Sequence, residues 1–287
     1  MWAPLGLLEV KSVYGCLNVA ERSELSSEPP ATLQKVAALR SAGAETVHGD
    51  LKAPASLAEA CRGVDTIIST ASSTLSRQQG DSIDSVDHLG QLNLIQAAKK
   101  ANVERFIFVS FCVPTGLRFP LGDAKTSVEQ ALATLNYTIL RASWFMEVWL
   151  SPALGFDYSN TTATVYGDGK NPISWVSYVD VAEMCVLASK HPATERKAID
   201  FGGPAAVSPL EIITKFQQIG GKTFNVQHVP REVLQQQFES ATDPMQKSFA
   251  ALMLGYANGN SMNMAPVQQQ FGIKLTSIDD YAHRVLA

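Results

Sequence analysis

Residues 87–111 read DHLGQLNLIQAAKKANVERFIFVSF, and this stretch decides the fold class. Leu89, Leu92, Ile95 and Ala98 recur at helical spacing, and Leu94 and Ala97 widen the apolar face toward that of a buried helix. Lys99 and Lys100 close the periodic run, and Asn102 stands where a left-handed residue suits a helix C-terminus. Phe106, Ile107, Phe108 and Val109 are then apolar at every position. A strand without polar alternation is buried on both faces, as in the middle of a parallel sheet covered by helices. Ser110 falls where the run stops, at the carboxyl edge where open α/β sheets bind ligands.

The same alternation extends on both sides. Residues 7–10 and 13–19 are two short candidate strands, and residues 31–41 read as a helix with Leu33, Val36 and Leu39 on one side and Gly43 at its end. Residues 45–50 read as a strand ending in a polar turn. Ser56 opens a helix to Cys61, with Glu59 completing a capping box. A strand at 64–70, the helix around 87–100, a strand at 105–110, a helix at 124–135 and a strand at 137–141 follow. Strands separated by helices of this length predict right-handed crossovers and a doubly wound parallel sheet. Beyond Trp149 the rhythm changes. Residues 162–166, the turn Gly167-Asp168-Gly169 and residues 173–176 read as a hairpin-like excursion, and residues 179–190 as a helix with Asp180 as N-cap. Ser208, Pro209 and Glu211 mark a strong helix start, residues 223–229 alternate like a strand, and residues 231–255 and 276–287 are mainly helical. These later elements are expected to form a smaller lobe over the sheet's carboxyl edge.

Composition narrows the function classes. The chain has 287 residues, 46% hydrophobic and 17% charged, enough for one large domain or two interleaved lobes. Lys plus Arg number 23 against 27 Asp plus Glu, a net charge of -4 with no basic block, which argues against nucleic acid as the partner. Cys16, Cys61, Cys112 and Cys185 are scattered, which favours a reduced, cytoplasmic setting over a disulfide framework. The apolar start lacks the charged region of a signal peptide, and no run approaches membrane-spanning length. The histidines, including His48, His88 and His191, show no metal-ligand spacing.

The strand ends are where chemistry is expected. The Asp50 carboxylate can accept from an adenine amino group, or simply close a turn. Thr70, Ala71 and Ser72 leave room for a ligand backbone, as an ordinary turn also would. Ser110 can hold a substrate carbonyl or a ribose hydroxyl. Lys125 is placed in the first turn of the helix after Gly122 and Asp123, where the dipole mildly disfavours a cation. A reason to keep it there is donation to ribose hydroxyls or acid–base work beside a nicotinamide, with dipole and cofactor charge lowering its pKa; the plainer reading is an exposed lysine. Arg22 can meet a 2′-phosphate or be a solvated arginine. Trp144, Phe145, Met146 and Trp149 are a core cluster by default and pocket lining as the alternative.

Several segments together resemble the NmrA-like family, atypical short-chain dehydrogenase/reductases related to isoflavone-reductase-like enzymes and quinone reductases. They are Val47-His48-Gly49-Asp50-Leu51, residues 63–68, residues 97–106, residues 137–141, and Trp144-Phe145-Met146-Glu147. The resemblance implies a Rossmann domain over residues 1–150, with an atypical N-terminal strand and turn, that binds NADP(H) or NAD(H). It also implies a mostly helical substrate lobe over 151–287, with elements near 173–203 returning to the first domain. By position, Asp50 with Leu51 would meet adenine, and Thr70, Ala71 and Ser72 would pass the pyrophosphate and ribose. Ser110, Phe111 and Lys125 would lie near the nicotinamide, and Ala142, Ser143, Trp144 and Phe145 would close over it. Two departures stand out. The family's Gly-x-x-Gly-x-x-Gly turn is missing, since Gly6 and Gly15 are the only glycines in residues 1–40, so the start of the chain is truncated or replaced, or dinucleotide binds poorly. Leu121 also replaces the tyrosine of Tyr-x-x-x-Lys, leaving Lys125 alone as the catalytic candidate. The leading expectation is an NAD(P)H-dependent reductase of a small carbonyl, enone or quinone-like molecule. The alternatives are a non-catalytic dinucleotide sensor with a protein partner, or a cofactor-free remnant.

Overall fold

The computed structural model describes residues 14–15, 37–47, 49–74 and 79–287, the first two as backbone only. In chain order the elements begin with β1 (Tyr14–Gly15), α1 (described over residues 37–41), α2 (Pro54–Ala60) and β2 (Thr66–Ser69). A π-helical turn, Ile83–His88, leads into α3 (Leu89–Lys100), then come β3 (Arg105–Phe111), α4 (Pro120–Ala131), β4 (Tyr137–Ala142) and α5 (Met146–Trp149). The rest are β5 (Phe156–Asp157), β6 (Thr162–Tyr166), α6 (Tyr178–Ala188), β7 (Lys197–Phe201), α7 (Pro209–Gly220) and β8 (Asn225–Val229). Four helices end the chain: α8 (Arg231–Ser240), α9 (Pro244–Asn258), α10 (Ala265–Phe271) and α11 (Ile278–Leu286).

The main sheet has the order β1-β2-β3-β4-β7. β1 and β3 both run parallel to β2. The bonds Phe106 N to Asn136 O and Cys112 N to Ala142 O keep one offset, so β3 and β4 are parallel as well. Phe106, Ile107 and Phe108 are all buried, as a continuous apolar run in a helix-covered sheet requires. Each is worth roughly 1.5–3 kcal/mol of burial. Asn102 takes φ 56° after α3, the left-handed stop its position suggests.

The chain divides into two compact units. The first holds the described residues up to Ser110, with Asp123–Leu140 and Cys185–Ile199; the second holds Phe111–Gly122, Arg141–Met184 and Asp200–Ala287. In the first, α2, α3 and α4 residues such as Leu57, Leu94, Ile95, Ala98 and Val128 pack on Phe106 and Phe108. In the second, Trp149, Phe156, Trp175, Phe216 and Tyr256 centre an aromatic core with the sheet β5-β6-β8.

Several local expectations are corrected. Residues 44–47 and 49–50 form no strand, and Val47 is 42% exposed, so the alternating residues there have no apolar surface to cover. The candidate strands at 7–10 and 13–19 lie outside the described residues apart from β1. α2 starts at Pro54 with no side-chain cap, because Ser56 Oγ is engaged by Asp50 N at 2.9 Å and Ala53 O at 2.8 Å. The hairpin is not formed. Gly167 and Gly169 do turn the chain with positive φ, but β6 pairs with β8 and β5, while Ile173 and Val176 bridge to Val207, Asn260 and Phe145. Asp180 is inside α6; its carboxylate accepts from Thr276 N (2.8 Å) and Oγ1 (2.7 Å), and Ser177 Oγ caps Val179 N instead. The box at Ser208 and Glu211 is present as read.

Gly90 in α3 passes so close to the chain at Leu51 that an added Cβ would sit 2.8 Å from Leu51 Cβ and 2.8 Å from Ser85 O. Gly90→Ala is expected to cost about 1–3 kcal/mol by overpacking, although alanine is the better helix former. Urea unfolding of both proteins measures it.

Candidate functional site

β2 and β3 are parallel with Ser69 opposite Phe108, so the residues after Ser69 and those at the end of β3 leave the sheet at one edge. The loop there is fastened by two side chains one turn apart on the same helical face. Gln91 Nε2 donates to Ala71 O at 3.1 Å, and Gln91 Oε1 accepts from Ser69 Oγ at 2.7 Å. Asp87 Oδ2 accepts from both Ser73 N (3.0 Å) and Ser73 Oγ (2.6 Å). Ser72 Oγ lies 2.9 Å from Thr74 Oγ1, completing a loop of small hydroxyl residues.

The second oxygen of Asp87, Oδ1, lies 3.3 Å from Lys125 Nζ, close enough for an ion pair but not aligned as a hydrogen bond. Asp87 is 0% and Lys125 4% exposed. The ammonium also stands 4.9 Å from the centroid of the Phe108 ring, a cation–π contact inside the protein. Burial holds the Lys125 pKa below the usual lysine value, while the Asp87 charge works against that lowering. α4 begins at Pro120, which puts Lys125 in the second turn, not the first. Desolvation, not the helix dipole, therefore lowers its pKa.

Phe108 and Ser110 are two apart on β3 and so project to the same face, the face on which Lys125 packs. Ser110 is buried and its Oγ has no hydrogen-bond partner among the described residues. An unbonded buried hydroxyl is costly, which makes it a donor in waiting.

The other expected residues are placed as follows. Asp50 Oδ1 accepts from Lys52 N at 2.9 Å, closing a local turn, and Leu51 is buried with its carbonyl held by Asn93 Nδ2 at 3.0 Å. Arg22 lies outside the described residues. Phe111, Ala142, Ser143, Trp144 and Phe145 belong to the second unit. There Phe111 packs on Phe119 with centroids 6.1 Å apart, Ala142 O accepts from Cys112 N, and Phe145 bridges to Val176. Ser143 Oγ and Trp144 Nε1 are buried without a partner among the described residues.

Asp87, Gln91 and Ser73 were not singled out from the sequence. The signal was present: Asp87, Gln91, Leu94, Ile95 and Ala98 share one helical face, so two polar residues occupy core register. A polar side chain at a core position implies a buried partner.

The second unit contains its own cavity of about 310 Å³, lined by residues 112–115, Trp144, Gly255 and residues 258–260. Cys112 Sγ donates to Arg141 O at 3.0 Å, and burial pushes its pKa up to about 12, so this thiol stays neutral. Among the described residues no helix is long and apolar enough to cross a membrane.

Comparison with known proteins follows the same lines. The model of the NmrA-like family matches residues 26–282. The photosystem II assembly factor Ycf39 of Synechocystis is 29% identical, covering 87% of this chain and 79% of that protein. The isoflavone reductase homolog IRL of Zea mays is 28% identical, covering 90% and 86%. Among solved structures, the NADPH complex of the quinone oxidoreductase QOR2 from Escherichia coli superposes with a TM-score of 0.70 at 20% identity, covering 90% of this chain and 88% of that one. The triphenylmethane reductase of Citrobacter, complexed with NADP(H), gives 0.71 at 18% identity, covering 88% and 87%. These structures share the doubly wound α/β fold.

Replacing Asp87 by Asn would leave the Lys125 charge buried without its counter-charge, a loss of about 3–5 kcal/mol near neutral pH. Lysine in the variant's folded state binds its proton less tightly than in the unfolded chain, so the unfolded state holds more protons and stability rises with pH. The deficit of Asp87→Asn relative to wild type is therefore expected to shrink between pH 7 and the unfolded lysine pKa of about 10.4. Urea unfolding across that range checks both magnitude and sign.

Proposed function

This chain belongs to the NmrA-like family, and on that premise we propose that it is an NAD(P)H-dependent reductase of a small carbonyl, enone or quinone-like molecule. The observation that carries this reading is the desolvated Lys125 ammonium on the same face of β3 as the unbonded Ser110 hydroxyl. Two polar groups stripped of water at the carboxyl edge of a parallel sheet are what a reacting oxygen needs.

The residues suit the nicotinamide and ribose half of a dinucleotide: small side chains at Thr70, Ala71 and Ser72, and the free hydroxyl of Ser110. For the pyrophosphate half, residues 1–40 carry Gly6 and Gly15 and not the Gly-x-x-Gly-x-x-Gly spacing whose amides would cradle it. A bound NAD(P)H supplies the hydride. Ser110 would donate to a ribose hydroxyl or to the substrate oxygen. Lys125 would hand its proton to that oxygen as it gains charge, with Asp87 keeping the resulting amine in place. Desolvation helps by bringing the lysine pKa closer to working pH. Asp50 and Leu51 toward adenine, Arg22 toward a 2′-phosphate, and Phe111, Ala142, Ser143, Trp144 and Phe145 toward the nicotinamide complete the proposed cofactor set.

A second reading is a dinucleotide-binding regulator with a protein partner and no turnover. It is favoured by Leu121, a buried hydrocarbon where the related motif has a phenol, and by Lys125 being held by Asp87.

NADPH at about 100 times its Kd would add about 2.7 kcal/mol of stability, a rise in Tm of about 5 °C. NADH is run beside it to set the preference. Lys125→Met is expected to keep that shift and to lower kcat for NADPH oxidation, over a panel of quinones and enones, by about 10²–10⁴-fold. A shift without turnover in wild type selects the regulator. No shift with either nucleotide means a cofactor-free protein.

A further inference from the structure

We propose that Gln91 is a positioning residue for a bound dinucleotide: by holding Ala71 O against α3 it turns the Ser72 N–H away from that helix, where it donates to an oxygen of the nucleotide. Gln91 is 0% exposed, and its side chain meets the loop after β2 twice, with Nε2 on Ala71 O and Oε1 on Ser69 Oγ. A carbonyl oxygen only accepts, so the amide nitrogen has to face Ala71. The peptide joining Ala71 to Ser72 is trans, and in a planar trans peptide the C=O and N–H point opposite ways. Fixing the carbonyl on the α3 side therefore fixes the Ser72 N–H on the other side. Among the described residues nothing accepts from that N–H.

The next peptide is held the opposite way round. Ser73 N donates toward the helix, to Asp87 Oδ2, so Ser72 O is turned from it. Each helix residue has the polarity that its peptide requires. Gln91 carries a donor for the carbonyl, and the Asp87 carboxylate, which only accepts, takes the N–H. Of the two, Gln91 is the one that leaves a donor for a ligand. The oxygens of a dinucleotide's phosphates and riboses accept, so an N–H facing them binds and a carbonyl facing them repels. The proposal rests on a dinucleotide lying along Thr70, Ala71 and Ser72, which the reductase and regulator readings share.

The first readout is amide hydrogen exchange of the full chain by NMR. Without nucleotide, Ser72 is expected to exchange rapidly and Ser73, bonded to the buried Asp87, slowly; NADPH is expected to slow Ser72. The second is the NADPH Kd of two variants, by calorimetry. Gln91→Met has no donor for Ala71 O and is expected to bind about tenfold more weakly at every pH. Gln91→Glu separates a lost donor from a loosened loop. Its buried carboxyl is protonated at about pH 6.5, donates to Ala71 O, and is expected to bind as wild type does. Toward about pH 9 it ionises, repels that carbonyl, and is expected to lose about tenfold. Asp87, one turn back on α3, and its partner Lys125 on α4 are present in wild type too, so the ratio to wild type isolates the substitution. Slow Ser72 exchange without nucleotide, wild-type affinity in Gln91→Met, or Gln91→Glu no better than Gln91→Met at the acid end would overturn the proposal. If neither variant folds, the wild-type exchange rates still decide. No NADPH binding by wild type removes the dinucleotide readings and this proposal with them, whereas an NADPH thermal shift with Ser72 unprotected removes this proposal alone.

Discussion

Phe106, Ile107 and Phe108 present no side to water, and a strand so placed dictates what can happen around it. Helices must cover both faces, and polar chemistry is confined to the strand's two ends. The ends differ. At the start, the Arg105 guanidinium is tied to Thr138 Oγ1 (3.1 Å), Ala188 O (3.0 Å) and Glu195 (3.2 Å), and it also bonds Thr194 Oγ1. Arg105 thereby closes the C-terminus of α6 onto the sheet, where a cation also meets the helix dipole favourably. At the far end Ser110 is equally buried but its hydroxyl is unspent. One end of β3 thus carries a guanidinium tied into the fold, and the other a hydroxyl that stays unbonded among the described residues.

The Asp87–Lys125 pair gains little stability for the molecule. Taking both charges out of water costs several kcal/mol per ion, and a hydrophobic pair of similar volume often serves as well. Its arrangement is informative in another way. Asp87 Oδ2 accepts two hydrogen bonds from Ser73 while Oδ1 faces Lys125, so the loop and the ion pair use different oxygens of the carboxylate. A cation whose counter-ion is anchored elsewhere can lose its proton to a reacting oxygen without dismantling the loop. That asymmetry is what the proposed acid–base role of Lys125 would require.

The parts of the fold carried by contiguous residues were legible in the sequence. The unbroken apolar run of β3, the periodic face of α3, Asn102 with φ 56° and the box at Ser208 each express forces acting within a few residues. Where a distant partner decided the outcome, local reading failed. Ser56 had the spacing of a cap but serves Asp50 N and Ala53 O; Asp180 had the look of a cap but serves Thr276; and β6, with a proper glycine turn after it, pairs with β8. Ser110 and Lys125 were singled out by position, and both are buried on one face of β3, with Lys125 in the second turn of α4 and not the first. Asp87 and Gln91 were hidden because their partners, Ser73, Ser69 and Ala71, lie 14 to 22 residues away.

The two departures from the family pattern act on separate quantities. A dinucleotide carries its charge on the pyrophosphate and its reactive carbon on the nicotinamide. Weaker amide contacts at the pyrophosphate lower binding of ground state and transition state alike, a loss that appears in KM. On the proposed reductase reading, Leu121 and Lys125 would bear on the charge that develops on the substrate oxygen during transfer, a loss that would appear in kcat. The missing glycines among residues 1–40 therefore do not by themselves make the chain inert. On the proposed reading, inertness would originate where Leu121 offers no proton and Lys125 would have to supply it alone.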